Sequence, residues 1–369
     1  MPDTLSSADL RHLHAAIRIG AIGLGTTWPN PAVGAVVFNH ERIVSSGRTA
    51  RGGRPHAEKL ALDDAGAEAR GATLYVSLEP CAHHGRTPPC ADAVVAAGIG
   101  RVVVGAVDPD PRVSGKGIAK MEAAGIRVSV SPEQNAAISA NEGHFRRTGA
   151  GRPWVTLKQA VSADGMIGRK GTGQVAITGA RASTHVHALR SRYDGILVGR
   201  GTVESDDPQL TCRLPGLEDR SPLRIVLDRR GVLPAGAKVF AATGSATVLR
   251  FVDEELRESG EGGYGDHVQT FSVPSGKDGL DMAAVLDKLG EFGLTRILVE
   301  GGSSVAATVV RLGLADDVLL FRSQEKIGAD GIAALAGLDL SVLETGEQFR
   351  IAGRRRFGDD VMTRYRKAD

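Results

Sequence analysis

Four side chains within one stretch of the chain are of the types that bind a metal ion or move a proton: His56, Glu58, Cys81 and Cys90. Imidazole nitrogen and thiolate sulfur are preferred ligands of Zn²⁺. A zinc ion with three protein ligands keeps a fourth position for water, whose pKa then falls toward about 7. The sequence therefore predicts a catalytic zinc site with His56, Cys81 and Cys90 as its ligands.

Glu58 is the predicted acid/base of this site. It follows His56 by two residues at the start of a predicted helix, so that the carboxylate and the imidazole can converge on one small volume. There the carboxylate would take a proton from water and hand it to a departing amine. A glutamate that is not a ligand, placed in this way before a Pro-Cys pair, is the signature of zinc-dependent nucleobase deaminases.

Two other interpretations of these residues stay open at this point. A His-x-Glu pair is common by chance, and cysteines often serve as small buried apolar residues. A structural zinc site closed by His83 or His84 is the sharper alternative. However, eight residues separate Cys81 from Cys90, whereas structural zinc sites usually space such ligands by about two to four.

The elements that must position the zinc ligands alternate between helix and strand. Ser6 or Ser7 can cap a first helix, whose apolar residues recur at helical spacing. The other predicted elements are a hairpin at 35–45, helices at 57–65, 90–97 and 117–124, strands at 72–78, 101–107 and 126–130, and a helix from Ser131-Pro132 to about Arg147. This alternation predicts a layered α/β domain.

A Gly- and Pro-rich segment at 149–153 separates this domain from a second one. We therefore predict domains at 1–148 and 153–369. The second half shows new apolar runs that indicate a second α/β sheet, with strands at 154–161, 195–198, 223–227, 247–251 and 296–299. Residues 258–266, rich in Gly and Glu, indicate a surface loop.

Composition narrows the possible partners. Lys and Arg number 45 and Asp and Glu 43, and aromatic residues make up 4% of the chain. This argues against a nucleic-acid surface, which needs basic residues interleaved with aromatic ones. No apolar run is long enough to span a membrane. The three cysteines suit free thiols better than disulfides, so we expect a cytoplasmic protein. Its expected partners are a small-molecule substrate and further copies of the same chain in a homo-oligomer.

The segment that decides the family runs from Cys81 to Cys90 and follows Leu78-Glu79-Pro80. It reads CAHHGRTPPC, and TWPNP at 27–31, DPDP at 108–111 and GKG at 115–117 accompany it. With these motifs the chain resembles the bifunctional riboflavin-biosynthesis deaminase-reductases. The resemblance implies an N-terminal cytidine-deaminase-like α/β/α domain that binds Zn²⁺, in which Asn30 and Arg86 line the pocket for a pyrimidine ribose phosphate.

A strand-Gly-Gly-helix junction marks the second half. The strand at 296–300 is followed by Gly301 and Gly302 and then by a predicted helix at 305–312. Glycines let the backbone approach a ligand closely, and a helix amino terminus favours phosphate. The spacing is not that of a dinucleotide fingerprint, so phosphate binding and a plain tight turn remain equally open from the pattern alone.

The resemblance extends over this half through KQAVSADG at 158–165, Arg190, GTV at 201–203, DDP at 206–208, LTCR at 210–213 and VEGG at 299–302. It implies a C-terminal dihydrofolate-reductase-like α/β domain that uses NADPH. The implied cofactor contacts are Ala160, Thr202, Asp206, Gly302, Ser303, Ser304 and Val305. The implied substrate contacts are Arg190, Leu210, Arg213 and Glu300. The acid/base of the reductase is left open between Lys158 and Asp206.

By this resemblance the chain would deaminate diaminohydroxyphosphoribosylaminopyrimidine and then reduce the ribosyl side chain to ribityl. Residues 174–176 and 322–326 depart from the family pattern, as does Asp110, where asparagine is more usual. An alternative is therefore a working deaminase joined to a domain that binds without reducing. A deaminase of another nucleobase or of RNA, and a non-catalytic zinc-stabilised nucleotide sensor, are the remaining hypotheses.

Overall fold

The computed structural model describes residues 5–85, 88–242, 247–256 and 263–368. The chain divides into two compact units, Met1–Arg152 and Pro153–Asp369. Among the described residues, none of the helices combines the length and the apolar character needed to cross a membrane.

The first unit alternates helices and strands, as predicted. In chain order its elements are α1 (Ser7–Ala21), β1 (Gly34–Asn39), β2 (Arg42–Arg48), α2 (Ala57–Ala65), β3 (Thr73–Val76), α3 (Cys90–Ala96), β4 (Arg101–Val104), α4 (Lys116–Ala123), β5 (Arg127–Val130), α5 (Asn135–Ala140) and α6 (Glu142–Ala150). Short 3-10 turns lie at Arg51–Gly53 and Gly66–Ala69.

The strands of this unit form one sheet in the order β2-β1-β3-β4-β5. β1 runs antiparallel to both of its neighbours, whereas β3, β4 and β5 run parallel. Alternate side chains of a strand point to opposite faces, and here both faces are covered. Leu74 and Val76 of β3 pack with Ala61 of α2, while Tyr75 packs with Leu13 of α1 on the other face.

α1 is tied to the sheet by a buried carboxylate. Ser6 caps the helix and exchanges hydrogen bonds with Asp9. Asp9 also accepts from the Tyr75 hydroxyl at 2.9 Å and pairs with Arg101 at 2.8 Å. Burial acts to raise the pKa of Asp9, but the hydrogen bonds from Arg101, Ser6 and Tyr75 outweigh it and hold the pKa well below its usual range.

Asp9→Asn is expected to destabilise the first unit by about 2 kcal/mol, because a hydrogen-bonded buried charge is lost and Arg101 is left without its partner. Urea unfolding followed by Trp28 fluorescence, in a Trp154→Phe background, measures this. Asp63→Asn is the matched control, since that carboxylate is 58% exposed and its loss should cost no more than about 0.5 kcal/mol. Equal losses for the two variants would contradict the prediction.

The helix predicted from Ser131 to Arg147 is wrong in its bounds. Ser131 continues the edge of the sheet, where its backbone N–H donates to Val104, and its hydroxyl donates to the Glu133 carbonyl instead of capping a helix. Helix begins only at Asn135 and is interrupted at Asn141, whose ψ of 24° is not helical. Two short helices, α5 and α6, therefore stand in place of one.

The second unit holds a larger sheet and four α-helices among the described residues. Its elements are β6 (Trp154–Val161), β7 (Met166–Arg169), α7 (Ala180–Arg190), β8 (Gly195–Gly199), α8 (Arg200–Asp206), β9 (Leu223–Leu227), β10 (Val248–Asp253), β11 (Val268–Val273), β12 (Ser275–Gly276), β13 (Gly279–Leu280), α9 (Met282–Phe292), β14 (Arg296–Val299), α10 (Ser303–Arg311), β15 (Asp317–Arg322), β16 (Gly331–Ala333), β17 (Phe349–Phe357) and β18 (Asp360–Lys367). Three 3-10 turns lie at Glu218–Arg220, Lys238–Phe240 and Leu340–Leu343.

Nine strands form the main sheet, in the order β11-β10-β9-β8-β14-β6-β15-β18-β17. The first seven in this order run parallel, and β18 and β17 close the edge as an antiparallel hairpin. The five predicted strands correspond to β6, β8, β9, β10 and β14. Of the predicted loop at 258–266, residues 258–262 lie outside the described residues, and 263–266 are neither helix nor strand.

Candidate active sites

Three predicted metal ligands meet in the first unit. His56 is the N-cap of α2, and its ring makes no capping hydrogen bond. Cys90 is the first residue of α3, and its backbone N–H donates to Cys81 Sγ at 3.2 Å. The ligand atoms of His56, Cys81 and Cys90 all lie within 4.8 Å of one another. Strand-to-helix junctions thus deliver one nitrogen and two sulfurs to a common point.

The spacing of these atoms fits a tetrahedral zinc ion. His56 Nδ1 lies 3.7 Å from Cys81 Sγ and 3.3 Å from Cys90 Sγ. Zn–S bonds of about 2.3 Å and Zn–N bonds of about 2.0–2.1 Å, at tetrahedral angles, separate sulfur from nitrogen by about 3.5 Å. The two observed separations lie on either side of that value, so these nitrogen–sulfur distances suit a tetrahedral Zn²⁺ ion.

The charge state of the thiols also suits a cation. Hydrogen bonds from the Cys90 thiol and from His56 lower the pKa of Cys81 to about 4. The hydrogen bond to Cys81, together with burial, raises the pKa of Cys90. The lowered pKa of Cys81 favours the thiolate, which is the form that binds a metal, and a bound divalent ion would deprotonate the second thiol.

Glu58 lies in the first turn of α2, beside the same cluster. Its side chain is only 3% exposed, and it is close enough to the Cys90 thiol to hydrogen-bond with it. Burial raises the pKa of Glu58 to about 7, against an opposing influence of the His56 charge. A carboxyl group with such a pKa can both accept and release a proton near neutral pH.

Among the described residues, the others considered for this site are not part of the ligand cluster. The Asn30 side chain donates to the Gly53 carbonyl at 2.8 Å and so joins the loop after α1 to the turn that precedes His56. Arg86 lies outside the described residues.

His83 and His84, which could have closed a structural site, are not part of the ligand cluster formed within residues 5–85 and 88–242. Asp110 is held by Arg112, whose hydrogen bonds lower the pKa of Asp110 to about 2.

Cys90→Ser is expected to lose tightly bound zinc, because a hydroxyl does not replace a thiolate as a ligand. Atomic absorption of the purified chain should fall from about one zinc per chain to a trace. Cys212→Ser is the matched control. That thiol is buried in the second unit, where it donates to the His187 carbonyl at 3.3 Å, and its variant should keep its zinc. Retention of full zinc by Cys90→Ser would remove Cys90 from the ligand set.

A cavity of about 1040 Å³ opens in the second unit. It lies at the carboxyl ends of β8 and β14, which is where parallel sheets bind their ligands. All of the residues predicted for the reductase line it: Ala160, Thr202, Asp206, Gly302, Ser303, Ser304, Val305, Arg190, Leu210, Arg213 and Glu300. Lys158 is in its wall as well.

On one side of the cavity, a bound ligand can come close to the protein backbone. α10 begins at Ser303, with Gly302 as its N-cap. A Cβ on Gly302 would lie 3.2 Å from Thr202 Oγ1, and one on Gly301 would lie 2.9 Å from Val305 Cβ. Gly301, Gly302, Ser303 and Ser304 all line the cavity, so a ligand bound there would lie close to the amino terminus of α10. Such an amino terminus suits the phosphates of a dinucleotide.

Another side of the cavity holds a buried ion pair. Arg190 donates from Nε and Nη2 to the two carboxylate oxygens of Glu300, each at 2.9 Å, and from Nη1 to the Thr211 carbonyl at 3.1 Å. Burial acts to raise the pKa of Glu300, but the charges of Arg190 and Lys158 outweigh it and lower the pKa to about 2. Burial lowers the pKa of Lys158 itself.

Leu210 and Arg213 lie on the segment that follows α8. Leu210 is buried and has a φ of 57°, an uncommon value for a residue with a branched side chain. Arg213 is exposed. His187 and Arg229 also line the cavity, and neither was predicted from the sequence. Arg229 could have been noticed, since it stands just beyond the predicted strand at 223–227.

The two departures from the family pattern occupy different places. Residues 174–176 line the cavity. Residues 322–326 are not among its lining residues; Arg322 donates to the Ala163 carbonyl and Glu325 accepts from the Ala163 N–H. The second departure therefore supports the turn after β6, whereas the first borders the space that a ligand would fill.

Comparison with known families covers both units. The pattern of the family described as "Cytidine and deoxycytidylate deaminase zinc-binding region" matches residues 6–106, and that of the "RibD C-terminal domain" matches residues 153–362. The riboflavin biosynthesis protein RibD of Escherichia coli K12 is 35% identical over 366 residues, which cover 96% of this chain and 98% of that protein. The RibD protein of Bacillus amyloliquefaciens is 38% identical over 321 residues, which cover 86% of this chain and 85% of that one.

Solved structures resemble the whole chain too. A Thermotoga maritima protein, described as a diaminohydroxyphosphoribosylaminopyrimidine deaminase/5-amino-6-(5-phosphoribosylamino)uracil reductase, superposes with a TM-score of 0.85 at 36% identity and covers 98% of this chain and 99% of its own. RibD of Acinetobacter baumannii gives a TM-score of 0.85 at 31% identity with the same coverage. These likenesses confirm the predicted fold, a cytidine-deaminase-like unit followed by a dihydrofolate-reductase-like unit.

Proposed function

The chain belongs to the RibD family, the bifunctional deaminase-reductases of riboflavin biosynthesis, and from that premise we propose the substrate, cofactors and residue roles of its two reactions. The first unit hydrolyses the ring amine of diaminohydroxyphosphoribosylaminopyrimidine. The second unit reduces the ribosyl chain of the deaminated product to ribityl with NADPH. The observation that carries the proposal is the convergence of His56, Cys81 and Cys90 at zinc-ligand spacing beside the buried Glu58.

In the first reaction the chain's own residues hold the metal and move the protons. His56, Cys81 and Cys90 hold Zn²⁺, which when bound activates water at neutral pH. Glu58 takes one proton from that water and delivers it to the departing amine. Its burial and its pKa of about 7 support this double role. Asn30 and Arg86 contact the substrate.

In the second reaction the cavity of the second unit binds both NADPH and the sugar. NADPH supplies a hydride when it is bound. The amides at Gly302, Ser303 and Ser304 hold its phosphates, and Val305, Thr202, Asp206 and Ala160 complete the cofactor contacts. The protein's contribution here is to position the hydride donor and the ribosyl carbon against each other.

The substrate end of this cavity is formed by Arg190, Glu300, Leu210 and Arg213. A guanidinium carries five N–H groups, and three of those on Arg190 are engaged by Glu300 and Thr211. Two remain to donate to a substrate oxygen. Arg213, which is exposed, supplies a second cation for the sugar phosphate, because guanidinium and phosphate match in a two-pronged geometry.

Mass spectrometry of products tests the proposal. The zinc-loaded protein is given the diaminopyrimidinone ribose phosphate with and without NADPH. We expect exchange of an amine for oxygen in both samples, and a gain of two hydrogens only with NADPH. Exchange without reduction would leave the second unit as a binding domain, consistent with its unusual residues at 174–176. No exchange in either sample would contradict the proposed deaminase.

A further inference from the structure

A buried carboxylate beside the zinc ligands has no role in the two reactions described above. Glu79 is 3% exposed and lies two residues before Cys81. Its Oε1 accepts from the backbone N–H groups of Gly117 at 2.9 Å and Ile118 at 3.2 Å. Its Oε2 accepts from those of Gly115 at 3.0 Å and Asp108 at 3.3 Å. All four of these hydrogen bonds come from backbone N–H groups, and none comes from a side chain.

These four donors come from one segment, residues 108–118, which leads into α4. Gly117 and Ile118 belong to the first turn of α4, and Gly115 is its N-cap. The amino-terminal N–H groups of a helix have no partner within the helix. Glu79 supplies that partner from the segment that follows β3, so it joins residues 108–118 to the chain just before Cys81.

The main chain from Glu79 to Cys81 makes further contacts, with Ala106, with α3 and with α4. The Glu79 N–H donates to the Ala106 carbonyl at 2.9 Å, and the Cys81 carbonyl accepts from Ala91 at 3.1 Å. A Cβ on Gly117 would lie 2.0 Å from the Pro80 carbonyl oxygen. α4 therefore packs directly on Pro80, at a distance that requires glycine at position 117.

We propose that Glu79 is a positioning residue of the deaminase site, which sets the place of Cys81 Sγ relative to His56 and Cys90 by holding residues 108–118 against Pro80. This inference rests on the proposed zinc site. Metal ligands depend on the groups that orient them, and loss of such a group typically weakens metal affinity about 10–100-fold. Glu79 would orient Cys81 through the backbone and not through a hydrogen bond to the Cys81 side chain.

Glu79→Gln tests the proposal with little change in shape. The amide keeps one oxygen and turns an NH₂ group toward two backbone N–H donors, so two of the four hydrogen bonds are lost. We expect zinc affinity, measured by chelator competition on the full chain, to fall at least about 10-fold. The visible spectrum of the cobalt-substituted protein, which reports tetrahedral geometry and thiolate ligation, should also change.

Asp9→Asn is the matched control, since Asp9 is another buried carboxylate of the first unit that binds Ser6, Tyr75 and Arg101 instead of residues 108–118. It should lower the thermal midpoint while leaving zinc affinity and the cobalt spectrum as in the wild type. If Glu79→Gln alters the metal site no more than Asp9→Asn does, Glu79 is a stability residue only and the proposal is wrong.

A second pair of variants keeps Glu79 itself. Gly115 and Gly125 flank α4, both have a positive φ (75° and 83°), and a Cβ on either meets nothing within 4 Å. Alanine at each introduces similar strain, but only Gly115 donates to Glu79. We expect a smaller loss of zinc affinity in Gly115→Ala and none in Gly125→Ala. Equal effects would overturn the proposal. A wild-type chain without a tetrahedral cobalt spectrum would instead overturn the zinc site and, with it, this inference.

Discussion

Glu58→Gln is expected to lower the rate of ammonia release about 10²–10⁴-fold while zinc stays bound and reduction continues. Glutamine fills the same space, but it cannot take the proton from water or deliver one to the leaving amine. Glu58 is buried, so bulk water cannot readily replace it as a proton carrier. The rate is measured as ammonia released per zinc-loaded chain.

Three measurements distinguish a loss of proton transfer by Glu58 from a general defect in the folding of the protein. The zinc content should equal that of the wild type, because the metal ligands are unchanged. Reduction of the deaminated intermediate, supplied directly, should continue at the wild-type rate. Glu122→Gln, an exposed glutamate of α4, should release ammonia normally. If Glu58→Gln retained more than about a tenth of the wild-type rate, another group would have to move the proton.

The convergence of His56, Cys81 and Cys90 could be predicted because local structure places each of these residues at or near the end of an element. His56 and Cys90 each stand at the start of a helix whose bounds follow from its own sequence, and α2 begins and ends where the pattern predicts. Parallel strands bring such junctions to one edge of a sheet. The order of the motifs and the strand-helix alternation were therefore enough to place these side chains together.

Contacts between residues far apart in sequence could not be predicted in this way. Glu79 binds residues 29 to 39 positions away, and Arg190 binds Glu300 across 110 positions. Neither pairing produces a periodic pattern in the sequence. The resemblance implied that Arg190 and Glu300 both contact the substrate, but nothing in the sequence indicated that the two side chains also pair with each other at the cavity wall.

The last strands of the chain were missed for a different reason. β17 contains four arginines and is exposed at all but its two end residues, so it lacks the alternation of apolar and polar residues that marks a half-buried strand. It forms because β18 pairs with it along the edge of the sheet. Charged side chains on such an edge also discourage pairing with another chain.

Glu300→Gln is expected to destabilise the second unit by about 3 kcal/mol at pH 7, because Arg190 and Lys158 would lose the negative charge that they share. Unfolding of this unit can be followed through Trp154 in a Trp28→Phe background, since the chain has two tryptophans, one in each unit. Glu291→Gln is the matched control. That side chain is 67% exposed beside Lys288, and its loss should cost no more than about 0.5 kcal/mol.

The difference in unfolding free energy between the wild type and Glu300→Gln depends on pH, because folding lowers the pKa of Glu300. Glu300 has a pKa of about 2 in the folded chain, below its ordinary value of 4.5, so its ionised form stabilises the fold at every pH above about 4.5. As the pH falls from 4.5 toward 2, the unfolded chain binds the proton first, and the contribution disappears. Wild type and Glu300→Gln should therefore differ most at neutral pH and converge near pH 2. A difference that stayed constant over this range would show that packing, and not charge, accounts for the loss.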